Sequence, residues 1–254
     1  MTDGPREPDA SAPDADALAA RRARRLWLIG ATFVVAAVLV GIVIALGGDD
    51  DNNSGTTTGK PAGAAATLEL YKGIPQRGTE LGNPDAKVTL TEFADLQCPF
   101  CGEYGREVFP EAVRKYVRTG KVKVQLRLLK FIGDDSVEAA RMAHAAGQQS
   151  KLFQFVDLVY RNQGIEESGW VDDEYLKRIG EAIGLDVERA FAARASPAVT
   201  AEIEKAITEG KAAKVESTPW FLLTKAGGKP ERFEADISNA AAFTKALDEA
   251  IADQ

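Results

Sequence analysis

Apolar residues fall along this chain in three regimes. From Leu26 to Gly48 they are nearly continuous, 23 residues without a charge in which only Thr32 is distinctly polar. A helix rising about 1.5 Å per residue over that length spans a hydrocarbon core of about 30 Å, so the run predicts a transmembrane helix at 26–48. Residues 1–25 lack apolar periodicity and are rich in Ala, Asp, Pro and Arg, which predicts a disordered tail. Residues 49–67 hold little beyond Asp, Asn, Ser, Gly, Thr, Lys, Pro and Ala, the composition of a flexible linker. From about 68 to 254 the apolar positions become periodic, as in a folded domain.

Within that domain the period switches between that of a strand and that of a helix. Lys87 to Asp95 places Val88, Leu90, Phe93 and Ala94 on both faces, which predicts an interior strand. Phe109, Ala112, Val113, Tyr116 and Val117 then share one helix face, with Pro110 expected to kink the helix and Gly120 to cap it. Val122, Val124, Leu126 and Leu128 alternate with polar residues, a second strand that completes a βαβ unit. A helical insertion is expected over about 134–214, with helices near 136–147, 150–162, 172–183, 186–195 and 197–212 separated at Gly164, Gly169, Gly184 and Pro197. Trp220–Leu223 and Arg232–Ala235 form a hairpin turned at Gly227-Gly228, and Asn239–Ala252 is a closing helix.

Charge adds a topology and removes a class of partners. Arg21, Arg22, Arg24 and Arg25 precede the apolar run and Asp49, Asp50 and Asp51 follow it, so the N-terminus is expected in the cytoplasm and the domain outside it. The run is longer than a signal peptide's apolar region of about 7–15 residues and no A-x-A site follows at once, which favours a retained single-pass anchor. Trp27 at its start suits the membrane interface. A net charge of -7 offers no general attraction to phosphate backbones, so nucleic acid is excluded as a general partner.

The chain has two cysteines, Cys98 and Cys101, at the junction of the predicted strand and helix. A disulfide across so short a loop removes little unfolded-chain entropy, so a structural staple is a poor account of the pair. A zinc site needs four ligands and c-type haem attachment needs His after the second Cys, where this chain has Gly102. Redox chemistry fits better. The N-terminus of a helix presents unpaired N–H groups and a positive dipole end, which favour a thiolate at Cys98, and Cys101 one turn on can resolve a mixed disulfide. Pro99 suits the first turn, where its missing N–H costs nothing. Glu92 interrupts the apolar strand six residues before Cys98. It is either a buried acid, with a raised pKa, serving as proton acceptor for the resolving thiol, or a sheet-edge residue reaching solvent.

The run Thr91-Glu92-Phe93-Ala94-Asp95-Leu96-Gln97-Cys98-Pro99-Phe100-Cys101, the helical insertion, and Ser217-Thr218-Pro219-Trp220-Phe221 together resemble the DsbA-like thiol-disulfide oxidoreductases of the thioredoxin superfamily. The resemblance covers about 68–254 and implies an α/β thioredoxin-like fold with an inserted helical subdomain. It implies Cys98 and Cys101 as the catalytic pair with Glu92 beneath them, and Pro219 as the family's cis-proline, leaving the backbone of Thr218 free to pair with a substrate. Pro99 and Phe100 complete the expected substrate-binding set. No metal or cofactor is expected. The implied partners are unfolded or reduced exported proteins and a quinone-linked membrane oxidoreductase as electron acceptor.

The chain departs from the most strongly oxidising members in having Phe100 where they carry His between the cysteines. An imidazolium would stabilise the Cys98 thiolate and a phenyl ring cannot, so the direction of exchange stays open. Introduction of disulfides is the preferred reading. An extracytoplasmic reductase or maturation factor is the enzymatic alternative, and a non-catalytic redox-sensing binding module is the alternative of another class. His144, the single histidine, is expected to be a surface or satisfied helix residue, and Trp170 and Trp220 to be apolar packing.

Overall fold

The computed structural model describes residues 59–252. The expected tail, transmembrane helix and most of the linker lie outside the described residues, among which no helix is long and apolar enough to cross a membrane.

Six strands form one sheet, in the order β1-β2-β4-β3-β5-β6: β1 is Gln76–Arg77, β2 Glu80–Leu81, β3 Val88–Ala94, β4 Val122–Leu128, β5 Trp220–Lys225 and β6 Glu231–Phe233. β3 runs parallel to β4 and antiparallel to β5, so it is central, and Val88, Leu90, Phe93 and Ala94 are all buried. This accounts for its apolar residues on both faces. β1 and β2 form a two-residue hairpin on the edge, too short for any period to announce.

A helical run from Pro99 to Val117 joins β3 to β4. It consists of α2 (Pro99–Glu103), a π turn at Tyr104–Val108, α3 (Phe109–Ala112) and a second π turn at Val113–Val117. Pro110 cannot donate a backbone hydrogen bond and its ring crowds the preceding turn. Where a simple kink is expected, wide turns flank the proline instead, and such turns are a recognised way of bending a helix.

Between β4 and β5 lie α4 (Asp134–Gly147), α5 (Leu152–Arg161), α6 (Asp173–Ala182), α7 (Val187–Ala193) and α8 (Pro197–Ala212). Local capping explains where three of them start. Asp172, Asp186 and Ser196 accept from the backbone N–H of Tyr175, Arg189 and Val199, and Pro197 occupies the first helical position of α8. α9 (Ala240–Ala252) closes the domain. Phe221 of β5, Phe233 of β6, Phe243 of α9 and Tyr104 meet at ring-centroid distances of 5.0–5.6 Å, binding the helical run after β3 to the sheet. On the other face, Phe93 and Leu129 pack with Ala206 of α8.

One boundary needs correcting. The flexible linker expected to reach residue 67 gives way to a helix, α1 (Ala64–Tyr71), in which Ala64 and Thr67 are buried. The Thr67 hydroxyl bonds the buried Asp157 carboxylate, and the amide of Asn162 pairs with both the N–H (2.9 Å) and the carbonyl (3.1 Å) of Ala62. An alanine-rich stretch with few apolar residues reads as linker because its partners, all on or just after α5, lie about 100 residues away.

Candidate active site

Cys98 stands at the N-cap of α2, directly beyond the carboxyl end of the central strand, with Pro99 at the first helical position. Its backbone N–H bonds the Asp95 carbonyl at 3.1 Å, and its own carbonyl accepts from Gly102 N at 3.0 Å. Both cysteines are free thiols. Cys101 is fully buried and Cys98 is 5% exposed.

The surroundings drive the two sulfurs apart in acidity. A hydrogen bond from the Cys101 thiol is the largest influence on Cys98, reinforced by Thr218 and by the backbone N–H groups of Cys101 and Phe100. Against burial, they hold the Cys98 pKa down at about 6. Burial, with the neighbouring Cys98 sulfur next in weight, pushes the Cys101 thiol up. One sulfur is therefore poised to attack or leave as a thiolate, and the other to hold its proton until it resolves.

Thr218 and Pro219 lie across from the pair. The Thr218–Pro219 peptide bond is cis, and the Thr218 carbonyl sits 3.3 Å from Cys98 Sγ. Phe100 is 61% exposed. Two other large apolar residues of the described chain are open to solvent nearby in the fold: Phe131, on the loop after β4, and Ile165, on the loop joining α5 to α6. Both loops bond the segment just before Cys98, at Asp95 and Gln97.

Glu92 occupies the middle of β3, opposite Leu126 and Phe221, and is buried. Desolvation raises its pKa to about 8, so its carboxyl is largely protonated at neutral pH. It borders a cavity of about 20 Å³ that Tyr71, Tyr104, Asp157 and Tyr160 also line. A space of that size admits one water molecule.

The polar residues that hold the loop in place escape sequence reasoning. Asp95 is fully buried, and its carboxylate accepts from Gln97 N (2.9 Å), Ser136 Oγ (2.6 Å), Phe131 N (2.7 Å) and Ile132 N (3.1 Å). It thus ties the cysteine loop to the loop after β4 and to the start of α4. The Gln97 amide donates to Ser136 Oγ (3.0 Å) and Glu167 (2.7 Å) and accepts from Glu167 N (2.8 Å). A signal existed for Asp95 alone, a second carboxylate after Glu92, directly following a buried strand.

His144 requires a correction. It is neither on the surface nor satisfied: it is 5% exposed on α4, its Nε2 has no hydrogen-bond partner, and desolvation together with the charge of Arg127 lowers its pKa to about 4. Its helix turns it into the alanine-rich core. Trp170 packs edge-on against Tyr175 at 4.9 Å, and Trp220 is covered by the Arg232 guanidinium at 3.5 Å. Among the described residues no group of His, Cys, Asp and Glu is arranged to hold a metal ion.

A family model described as "Thioredoxin" matches residues 76–248, most of the described domain. A Bacillus cereus protein named "Probable disulfide bond formation protein D" is 34% identical over 101 residues, covering 39% of this chain and 47% of its own length. A Bacillus anthracis protein of the same name is 29% identical over 143 residues, covering 55% and 66%. The chain thus spans about half to two thirds of these relatives. Among solved structures, Wolbachia pipientis alpha-DsbA1 superposes with a TM-score of 0.59 at 22% identity, covering 74% of this chain and 96% of that one. With a free cysteine pair on the helix that follows the central strand and a family match across both, this chain belongs to the thioredoxin family.

Proposed function

We propose that the protein is a thiol-disulfide oxidoreductase that introduces disulfides into exported proteins. The observation that carries this reading is the asymmetry of the pair, Cys98 acidified at a helix N-terminus beside Thr218 and Cys101 buried behind it. Starting from the Cys98–Cys101 disulfide, a substrate thiolate attacks Cys98 Sγ and forms a mixed disulfide, breaking the internal bond and releasing Cys101 as a thiolate. That buried charge takes a proton, for which the neutral carboxyl of Glu92 is the candidate donor. A second substrate thiolate then attacks the substrate sulfur and expels Cys98, which leaves readily as a stabilised thiolate. The substrate loses two electrons and the cysteine pair gains them.

Reoxidation then requires an acceptor, and a quinone-linked membrane protein is the proposed one. Thr218, Pro219, Pro99 and Phe100 are assigned to substrate binding, with the Thr218 backbone pairing to an extended peptide. The apolar run 26–48, with arginines before it and aspartates after it, supports a single-pass anchor with the catalytic domain outside the cytoplasm. The names of the Bacillus relatives agree with disulfide formation.

Replacing Cys101 with Ser should trap covalent complexes between Cys98 and substrates, while Cys98→Ser should trap none. Equal trapping by both variants, or by neither, refutes the assigned roles. Alkylation of thiols in growing cells fixes the direction: a pair held mostly as disulfide marks a donor of disulfides, and a pair held mostly as dithiol marks a reductase. Protease added to intact spheroplasts should degrade the chain beyond about residue 50, and protection would overturn the extracytoplasmic placement.

A further inference from the structure

The loop joining α5 to α6 sends two side chains back to the cysteine loop. Gln163 Nε2 lies 2.8 Å from the Leu96 carbonyl and 3.1 Å from the Cys98 carbonyl, so both of its hydrogens are used on backbone acceptors flanking the attacking cysteine. Glu167, four residues on, is paired with Gln97 through both its carboxylate (2.7 Å) and its backbone N–H (2.8 Å). The two contacts grip the same short segment, residues 96–98, from one side.

Two glycines explain how these side chains fit. A Cβ on Gly102 would stand 2.5 Å from Gln163 Oε1, and one on Gly133 would stand 2.2–2.3 Å from the Glu167 carboxylate. The residue after Cys101 sits within a helical run, where alanine is ordinarily the better residue by about 1 kcal/mol. Gly102 is instead the floor of a slot that the Gln163 amide occupies.

We propose that Gln163, seated on Gly102 and seconded by Glu167, is a positioning residue that latches the helical insertion to the active-site loop and holds Cys98 in its reactive geometry. Its two donors draw on carbonyls whose negative ends would otherwise oppose a charge on the adjacent sulfur. They also fix the first turn of α2, so that the N–H groups of Phe100 and Cys101 stay aimed at Cys98 Sγ. The latch sits beside the sulfur without touching the reacting atoms. It presumes the redox reading above only for its consequence in exchange.

The test uses the full-length chain in mild detergent. Gln163→Met keeps the bulk of the side chain and removes the donors. Thiolate absorbance against pH should show Cys98 less acidic by about one unit, and at about pH 8, above both values, the equilibrium with glutathione should move about tenfold toward the disulfide. Gln163→Glu, which also adds a negative charge, should shift both further in the same direction. A lowered melting temperature with neither quantity moved would mean that Gln163 is ordinary packing, and would overturn the proposal.

Gly102→Ala supplies a second route should Gln163→Met fail to fold. One added methyl should displace the amide and raise the Cys98 pKa, yet in a Gln163→Ala background, where only the Arg106 guanidinium at 2.8 Å has still to give way, the same change should raise it far less. Additive effects in the two backgrounds would overturn the latch. The titration of Cys98 reports on the latch whether or not the pair turns over, whereas equilibration of the wild type with glutathione reports on the redox assignment, so the two failures are separable.

Discussion

Replacing Glu92 with Gln should change how the protein's stability depends on pH, by an amount the structure sets. Folding carries this carboxyl from a pKa near 4.5 to about 8 because burial disfavours its charged form. A group whose folded pKa is raised leaves stability intact below its unfolded pKa and removes it as pH climbs toward the folded one. The loss therefore begins near pH 4.5, proceeds at about 1.4 kcal/mol per pH unit and ends near pH 8. At pH 7.5 it amounts to about 4 kcal/mol, which Glu92→Gln abolishes because the amide does not titrate. The measurement is urea unfolding of the oxidised protein, in which neither thiol ionises, from pH 5 to 7.5 for both forms. His144 also titrates on unfolding, but equally in both, so the difference isolates Glu92. The variant should gain on the wild type steadily across this range. Parallel curves would refute the idea that Glu92 is buried and neutral, and with it the proton it is proposed to lend to Cys101.

His144→Gln should flatten the acid side of the stability curve. A folded pKa of about 4 against 6.5 means that the wild type loses about 3 kcal/mol as pH falls through that interval, and the variant should not, as urea unfolding at each pH would show. Phe100→His should make the protein a stronger oxidant: an imidazolium beside Cys98 lowers its pKa further, and each unit, at a pH above it, stabilises the dithiol by about 1.4 kcal/mol, or about 30 mV, in glutathione equilibration. Thr67→Val should cost about 1–3 kcal/mol in thermal unfolding, because it strips a hydrogen bond from the buried carboxylate of Asp157.

How much of this was legible in the sequence depended on how local the cause was. β3 and β4 announced themselves through burial, one by apolar residues on both faces and the other by strict alternation. The insertion helices were marked by the breakers between them, Gly164, Gly169, Gly184 and Pro197, whereas the caps Asp172, Asp186 and Ser196 emerged only in the structure. Glu92 stood out because a charge has no place in an interior strand, and the cysteines because nothing else could pair with them. What stayed hidden was set by partners remote along the chain. α1 is made a helix by contacts to α5, and the meaning of Gln163 and Gly102 exists only where two segments 61 positions apart come within reach. A histidine inside a polar-looking helix likewise gave no sign that its face would turn inward.

The pairing of Ala62 with Asn162 also defines a path for mechanical load. The backbone enters the described domain by hydrogen-bonding, through both its N–H and its carbonyl, to a side chain just beyond α5. The next residue, Gln163, grips the carbonyl of Cys98. A pull delivered along the chain from its N-terminal side is therefore taken up first at Asn162, one peptide bond from the contact to the Cys98 carbonyl, and away from the sheet that carries the fold.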